Sequence, residues 1–99
     1  AEEGGAIELF DCHQTPLSAC QIINPKFRGI YIADSLNTQV NTCTVVDRRE
    51  DGAMLAGIQV AGRSKGALIT GNLVQKGTRG AIIAAPFTAT VEHNPPPAK

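Results

Sequence analysis

"FRGIYIADSLNTQVNTCTVV", residues 27–46, holds two short apolar alternations, "IYIAD" and "QVNTCTVV", separated by polar and small residues. Both are rich in β-branched side chains and bounded by Gly, Asn, Asp and Pro, which is the grammar of strands. Upstream, "GGAIELFDCHQ" (4–14) has the same shape, and downstream "LAGIQVAGRSK" (55–65) and "TRGAIIAAPFT" (78–88) repeat it. Aligned on Ala6, Gly29, Gly57 and Gly80, the phrases are spaced by 23, 28 and 23 residues. The same offsets bring Ile7, Ile30, Ile58 and Ala81 together, and likewise Leu9, Ile32, Val60 and Ile83. Further columns hold Leu17, Val40, Leu68 and Val91, then Cys20, Cys43, Gly71 and Asn94, then Ile22, Val45 and Leu73 with Pro96. Columns that keep their character over three or four copies mark stacked units, none of which can bury its apolar face alone.

No window shows sustained helical spacing with caps, so helical repeats fit poorly. A unit of about 23 residues with two or three short strands closes one turn of a coil. Turns stacked about 4.8 Å apart pair each strand with its equivalent in the next turn. The expected fold is all-β: a parallel β-solenoid of about four coils, with residues 1–99 forming one module and a Pro-rich tail at 95–99. The five extra residues between the second and third phrases lie around "DRREDGAML", 47–55, and are expected to bulge from one corner as a loop.

Composition bounds the function classes. Nine Lys and Arg balance nine Asp and Glu, so no global charge draws the chain to nucleic acid or an anionic membrane. No apolar run approaches the roughly 18–20 residues of a membrane-spanning helix. The chain begins at Ala1, which reads as a processed product or a fragment. Its three cysteines, Cys12, Cys20 and Cys43, form no CxxC pair, and the histidines are His13 and His93. A structural zinc site is therefore unsupported, and an odd count argues against a complete disulfide framework. Cys20 and Cys43 stack in one column, read as two small buried thiols with a bridge as the alternative.

The segment "ALITGNLVQKGTRGAII" (67–83) resembles the degenerate repeat of the right-handed parallel β-helix (pectate-lyase-like) superfamily: apolar pair, Gly-Asn, apolar pair, turn, Gly, apolar strand. "GAIELFDC" resembles the same strand type in exported β-helix repeat proteins of unassigned function. The resemblance implies a right-handed coil. It does not choose an activity, because the superfamily holds lyases, hydrolases, epimerases, phage tailspikes and adhesins. Most members carry more than four coils, which implies a fragment or an assembly that continues the stack.

Alternation along the first strand points Ile7, Ile30 and Ile58 inward, with Leu9, Ile32, Val60 and Ile83 beside them. The outward columns are then Glu8, Tyr31, Gln59 and Ile82, and Phe10, Ala33, Ala61 and Ala84. Related carbohydrate-active β-helices bind along this outer face, so Glu8, Tyr31 and Gln59 are the first ligand-binding candidates; the alternative is a half-polar face covered by a loop or partner. Asp11 and Asp34 share a column at the strand end. Their carboxylates either form a Ca²⁺ or coupled acid pair, or each caps its own turn, the favoured reading. Arg28 and Arg79 precede equivalent glycines and are expected to cover a corner. Arg48, Arg49, Glu50 and Asp51 are expected at a solvated loop tip.

Two functions fit. One is a non-catalytic β-helix module for surface recognition or assembly in an exported protein, periplasmic, extracellular or virion-associated. The other is part of a carbohydrate-active enzyme, a lyase, hydrolase or epimerase acting on an acidic polysaccharide. The clustered Asp, His and Arg or Lys motifs of such enzymes are incomplete here, and no catalytic residue, cofactor or metal is assigned beyond Ca²⁺ at Asp11 and Asp34. The expected partners are a polysaccharide and, through the N-terminal strand edge, further coils, another chain or a second copy. Glu2 and Glu3 give that edge only charge as protection. At the other end, Pro95, Pro96 and Pro97 lack N–H donors and are expected to stop the ladder.

Overall fold

The structure, a computed structural model, describes residues 4–50, 52–85 and 88–96. Glu2, Glu3, Asp51 and Pro97, to which the sequence assigned roles, lie outside the described residues. The described chain is all-β. Its strands are β1 Gly5–Phe10, β2 Pro16–Ser18, β3 Gln21–Ile23, β4 Arg28–Ala33, β5 Gln39–Asn41, β6 Thr44–Val46, β7 Ala56–Ala61, β8 Ala67–Thr70, β9 Leu73–Val74, β10 Gly80–Ala84 and β11 Ala89–Glu92. No helix occurs among the described residues, and so none is long and apolar enough to cross a membrane.

The strands form three parallel sheets, ordered β1-β4-β7-β10, β2-β5-β8-β11 and β3-β6-β9. The chain thus visits the three sheets in fixed rotation, and each round pairs with the one before it. The sealed interior lies in the second and third rounds. Ile30, Ile32, Val40, Val45, Ile58 and Ile69 are wholly buried, and Val60 and Val74 nearly so. Gly29 and Gly57 make this closure workable. A Cβ on Gly29 would collide with a Val45 methyl, and one on Gly57 with a Val74 methyl.

Corners between strands rest on left-handed residues at matching positions. Asp11, Asp34 and Gly62 have φ of 54°, 53° and 68°. Gln14, Asn37 and Gly66 follow at 55°, 56° and 70°, and Ala19, Thr42, Gly71 and His93 at 57°, 57°, 69° and 56°. Each such residue turns the chain sharply enough to start the next short strand.

Corner amides are capped by side chains from the following round. Cys12 N–H donates to Ser35 Oγ at 3.1 Å, and Ser35 N–H to Ser64 Oγ at 3.2 Å. At another corner, Cys43 N–H donates to Asn72 Oδ1 at 2.8 Å, and Asn72 N–H to Asn94 Oδ1 at 3.1 Å. These stacked caps satisfy buried backbone donors that no strand partner reaches.

The register departs from the sequence alignment in the later rounds. Ile58 is paired with Ile82, not Ala81, so Ile82 and Ala84 pack against the core and Ile83 takes the outward place beside Gln59. In the second sheet Val40 lies beside Ile69, leaving Leu68 outward and 40% exposed. In the third sheet Val45 lies beside Val74, leaving Leu73 outward, and the column of Cys20 and Cys43 continues through Asn72 rather than Gly71. One cause accounts for both third-round shifts. Ala33 and Ala61 are partners, but Leu36 bridges to Lys65, so the third round uses one more residue at this corner. A one-residue slip exchanges the two faces of every strand that follows. The inserted residues do lie between β6 and β7, as expected. The Pro95 carbonyl accepts Val74 N–H at 3.1 Å, so this proline serves the preceding round as an acceptor.

Candidate functional site

Strands β1, β4 and β7 align Glu8, Tyr31 and Gln59 on the outer face of the first sheet, as alternation predicts. Glu8 is exposed, and Tyr31 and Gln59 are half-buried. The Glu8 carboxylate accepts the Gly5 N–H at 3.1 Å, which fixes the end of its own strand. Between the other two stands Arg28. Its Nε donates to Gln59 Oε1, and its guanidinium carbon lies 5.1 Å from the Tyr31 ring centroid. Phe10 meets the same ring edge-on, at 5.8 Å and 72°. Cation–π and aromatic edge contacts of this kind each contribute about 0.5–1.5 kcal/mol and hold the ring in place.

Arg28 is the residue that sequence reasoning undervalued. It was expected only to cover a corner, yet it is 5% exposed and joins the tyrosine to the glutamine. The signal was the Arg-Gly pair that opens β4. Gly29 admits Val45 beneath it, and Arg28 lies in the strand beside Gly5 and Ala56.

The Asp11–Asp34 column divides. Asp34 Oδ1 accepts the Arg63 N–H at 2.9 Å, which bridges the longer corner of the third round. That is turn capping, achieved between rounds rather than within one. Asp11 instead points its Oδ1 toward His13 Nε2, 3.8 Å away, with both side chains largely exposed. His13 in turn shares a column with Leu36 and Lys65. Among the described residues, no three His, Cys, Asp or Glu side chains converge as a metal-ligating group.

The inserted loop has a buried anchor. Asp47, with 2% of its side chain exposed, accepts bonds from Arg49 Nε at 2.8 Å, Arg49 N–H at 3.1 Å and Met54 N–H at 2.8 Å. The Arg49 bond, reinforced by the Met54 and Arg49 amides, holds the Asp47 carboxyl at about 2 despite the opposing effect of burial. The Arg49 guanidinium also donates to the Pro25 carbonyl. Arg49 is therefore half-buried and fastened, whereas Arg48 and Glu50 are exposed as expected. Met54 returns the loop to the core at 1% exposure.

Cys12, Cys20 and Cys43 are free thiols. Cys43 is buried and Cys20 half-buried, and burial, with the neighbouring Cys20 thiol adding to it, pushes the Cys43 thiol up. A shallow depression lined by Gly71, Leu73, His93, Asn94 and Pro95 lies at the third sheet, on different elements from the Glu8–Tyr31–Gln59 column. No family model, curated protein or solved structure matches the chain.

Proposed function

We propose that the chain is a right-handed parallel β-helix module of about four coils, of the pectate-lyase-like kind, that recognises an extended surface or polymer without turning it over. A right-handed path is supported by the general handedness of parallel crossovers. The observation that carries the recognition reading is the braced outer column. Arg28, Tyr31 and Gln59 are already locked to one another, with Phe10 against the ring and Glu8 in the next strand. A face arranged before binding loses little side-chain freedom when it binds. Aromatic, carboxylate and amide groups in adjacent strands suit the stacking and hydrogen bonding of a saccharide, and an exported setting would supply one.

A second reading, assembly through the N-terminal edge, draws on a separate observation. Ile7, Leu9 and Leu17 are only half-buried, whereas their equivalents Ile30, Ile32 and Val40 are wholly buried. Further coils, another chain or a second copy would complete their burial.

A screen of glycans and uronate polymers, read for binding and turnover with and without Ca²⁺, tests the main proposal. The expected result is binding without turnover that is lost when Glu8, Tyr31 and Gln59 are all changed to Ala. Full affinity in that variant removes the site. Turnover moves the chain to the carbohydrate-active alternative. A Ca²⁺ requirement abolished by Asp11→Asn and Asp34→Asn would assign the cation to that column.

A further inference from the structure

We propose that Cys20 and Cys43 form a redox pair, which a low-molecular-weight disulfide such as oxidised glutathione converts into a covalent bridge between the first and second rounds. The pairing is set by register. Gln21 lies beside Thr44 and Ile22 beside Val45, and Thr44 N–H donates to the Cys20 carbonyl at 2.8 Å. Cys20 and Cys43 therefore hold the same position in adjacent rounds. Neighbouring strands lie about 4.8 Å apart, inside the Cα range of roughly 4.4–6.8 Å that a disulfide spans. Both side chains turn to one interior: Cys43 belongs to the buried cluster and Cys20 packs against it. The Cys43 sulfur also reaches back toward the first round, 3.8 Å from the Leu17 carbonyl oxygen.

Unequal access sets the order of events. Cys20 is half-buried and Cys43 is 1% exposed, so Cys20 meets the oxidant first. Its thiolate attacks one sulfur of oxidised glutathione, breaking that S–S bond and releasing one glutathione thiolate. Cys43 then gives up its proton and attacks the Cys20 sulfur, expelling the second glutathione. The two protein thiol protons end on the two glutathione thiols, and the protein loses two hydrogens. Burial raises the Cys43 thiol, so its attack quickens as pH rises. Cys12 supplies an internal control. Its neighbour in the second round is Ser35, whose Oγ caps the Cys12 N–H, so it has no stacked thiol.

The full chain is incubated with oxidised glutathione without denaturant, quenched in acid, alkylated and mapped by mass spectrometry. The expected product contains a peptide pair joined through Cys20 and Cys43, is lighter by two hydrogens, accumulates faster at pH 9 than at pH 7 and melts at a higher temperature than the reduced chain. Cys12 remains alkylatable or carries glutathione. Cys43→Ser is expected to stop at the Cys20–glutathione adduct. Stable glutathione adducts on Cys20 of the unmodified chain with no bridge, or a bridge that forms only in denaturant, would overturn the proposal. So would a bridge that includes Cys12.

Discussion

Ile7 and Ile30 carry the same side chain at the same register position, yet Ile30 is wholly buried and Ile7 only half-buried. The contrast repeats in the second sheet but not in the third, where Ile22 of the first round is buried beside Val45. Leu17 is half-buried beside a sealed Val40, and at the far end Val91 is 42% exposed beside a sealed Ile69. The phrase in the sequence is nearly constant, whereas its burial depends on how many rounds flank it. In a stacked fold, an apolar column states a position, and the neighbouring rounds determine how much that position stabilises.

Truncating the two isoleucines measures that difference most directly. Ile30→Ala leaves a cavity with no solvent to fill it and is expected to cost about 3 kcal/mol, whereas Ile7→Ala is expected to cost about 1 kcal/mol. Urea denaturation of both variants gives the comparison. Equal losses would mean that the first round is as tightly closed as the second.

The inserted loop sharpens the contrast from another side, because it emerges from the sealed rounds and yet carries a buried carboxylate. Asp47 is held at about 2, below its ordinary 3.8. A depressed carboxyl stabilises the folded state fully above its unfolded value and loses that contribution as pH falls through the folded one. The expected loss is about 2 kcal/mol, concentrated between roughly pH 4 and pH 2. Asp47→Asn should lower stability at neutral pH and flatten the profile in that window. An unchanged slope in the variant would detach the loop anchor from acid sensitivity.

The smallest expected effect lies at a corner. Thr42 holds φ at 57° where the next round places Gly71 at 69°. A β-branched residue is disfavoured there, and glycine is not. Thr42→Gly is expected to raise stability by about 0.5 kcal/mol, after the greater freedom of glycine in the unfolded chain is set against the relieved strain. A thermal melt that falls instead would show that the corner's geometry is set by something other than backbone strain.

Parallel pairing and the inward columns of the first two rounds were legible because β-branched alternation recurs there at one fixed spacing. The later register was not. Where the third round gains a corner residue, the sequence places two apolar side chains side by side: Leu68 with Ile69, and Leu73 with Val74. Either member could face inward, so apolar character alone could not detect a shift of one. Ala81, Ile82 and Ile83 hide the fourth-round shift in the same way. The outer column was legible as far as Glu8, Tyr31 and Gln59, which lie within the alternation. Arg28 lies ahead of it, where Gly29 turns to the interior, and period-two reasoning does not extend there.

The stacked caps give the fold a direction in time. Cys43 N–H waits for Asn72, which lies 29 residues later in the chain, and Cys12 N–H waits for Ser35, 23 residues later. At about 5–20 residues per second, a ribosome delivers each acceptor seconds after its donor. During that interval the corner amide is left to water, and the newest round is the loosest part of the nascent chain. Loss of residues from the C-terminal side therefore removes acceptors that earlier rounds depend on: the Pro95 carbonyl goes first, and Asn94 is the first of the side-chain caps to follow.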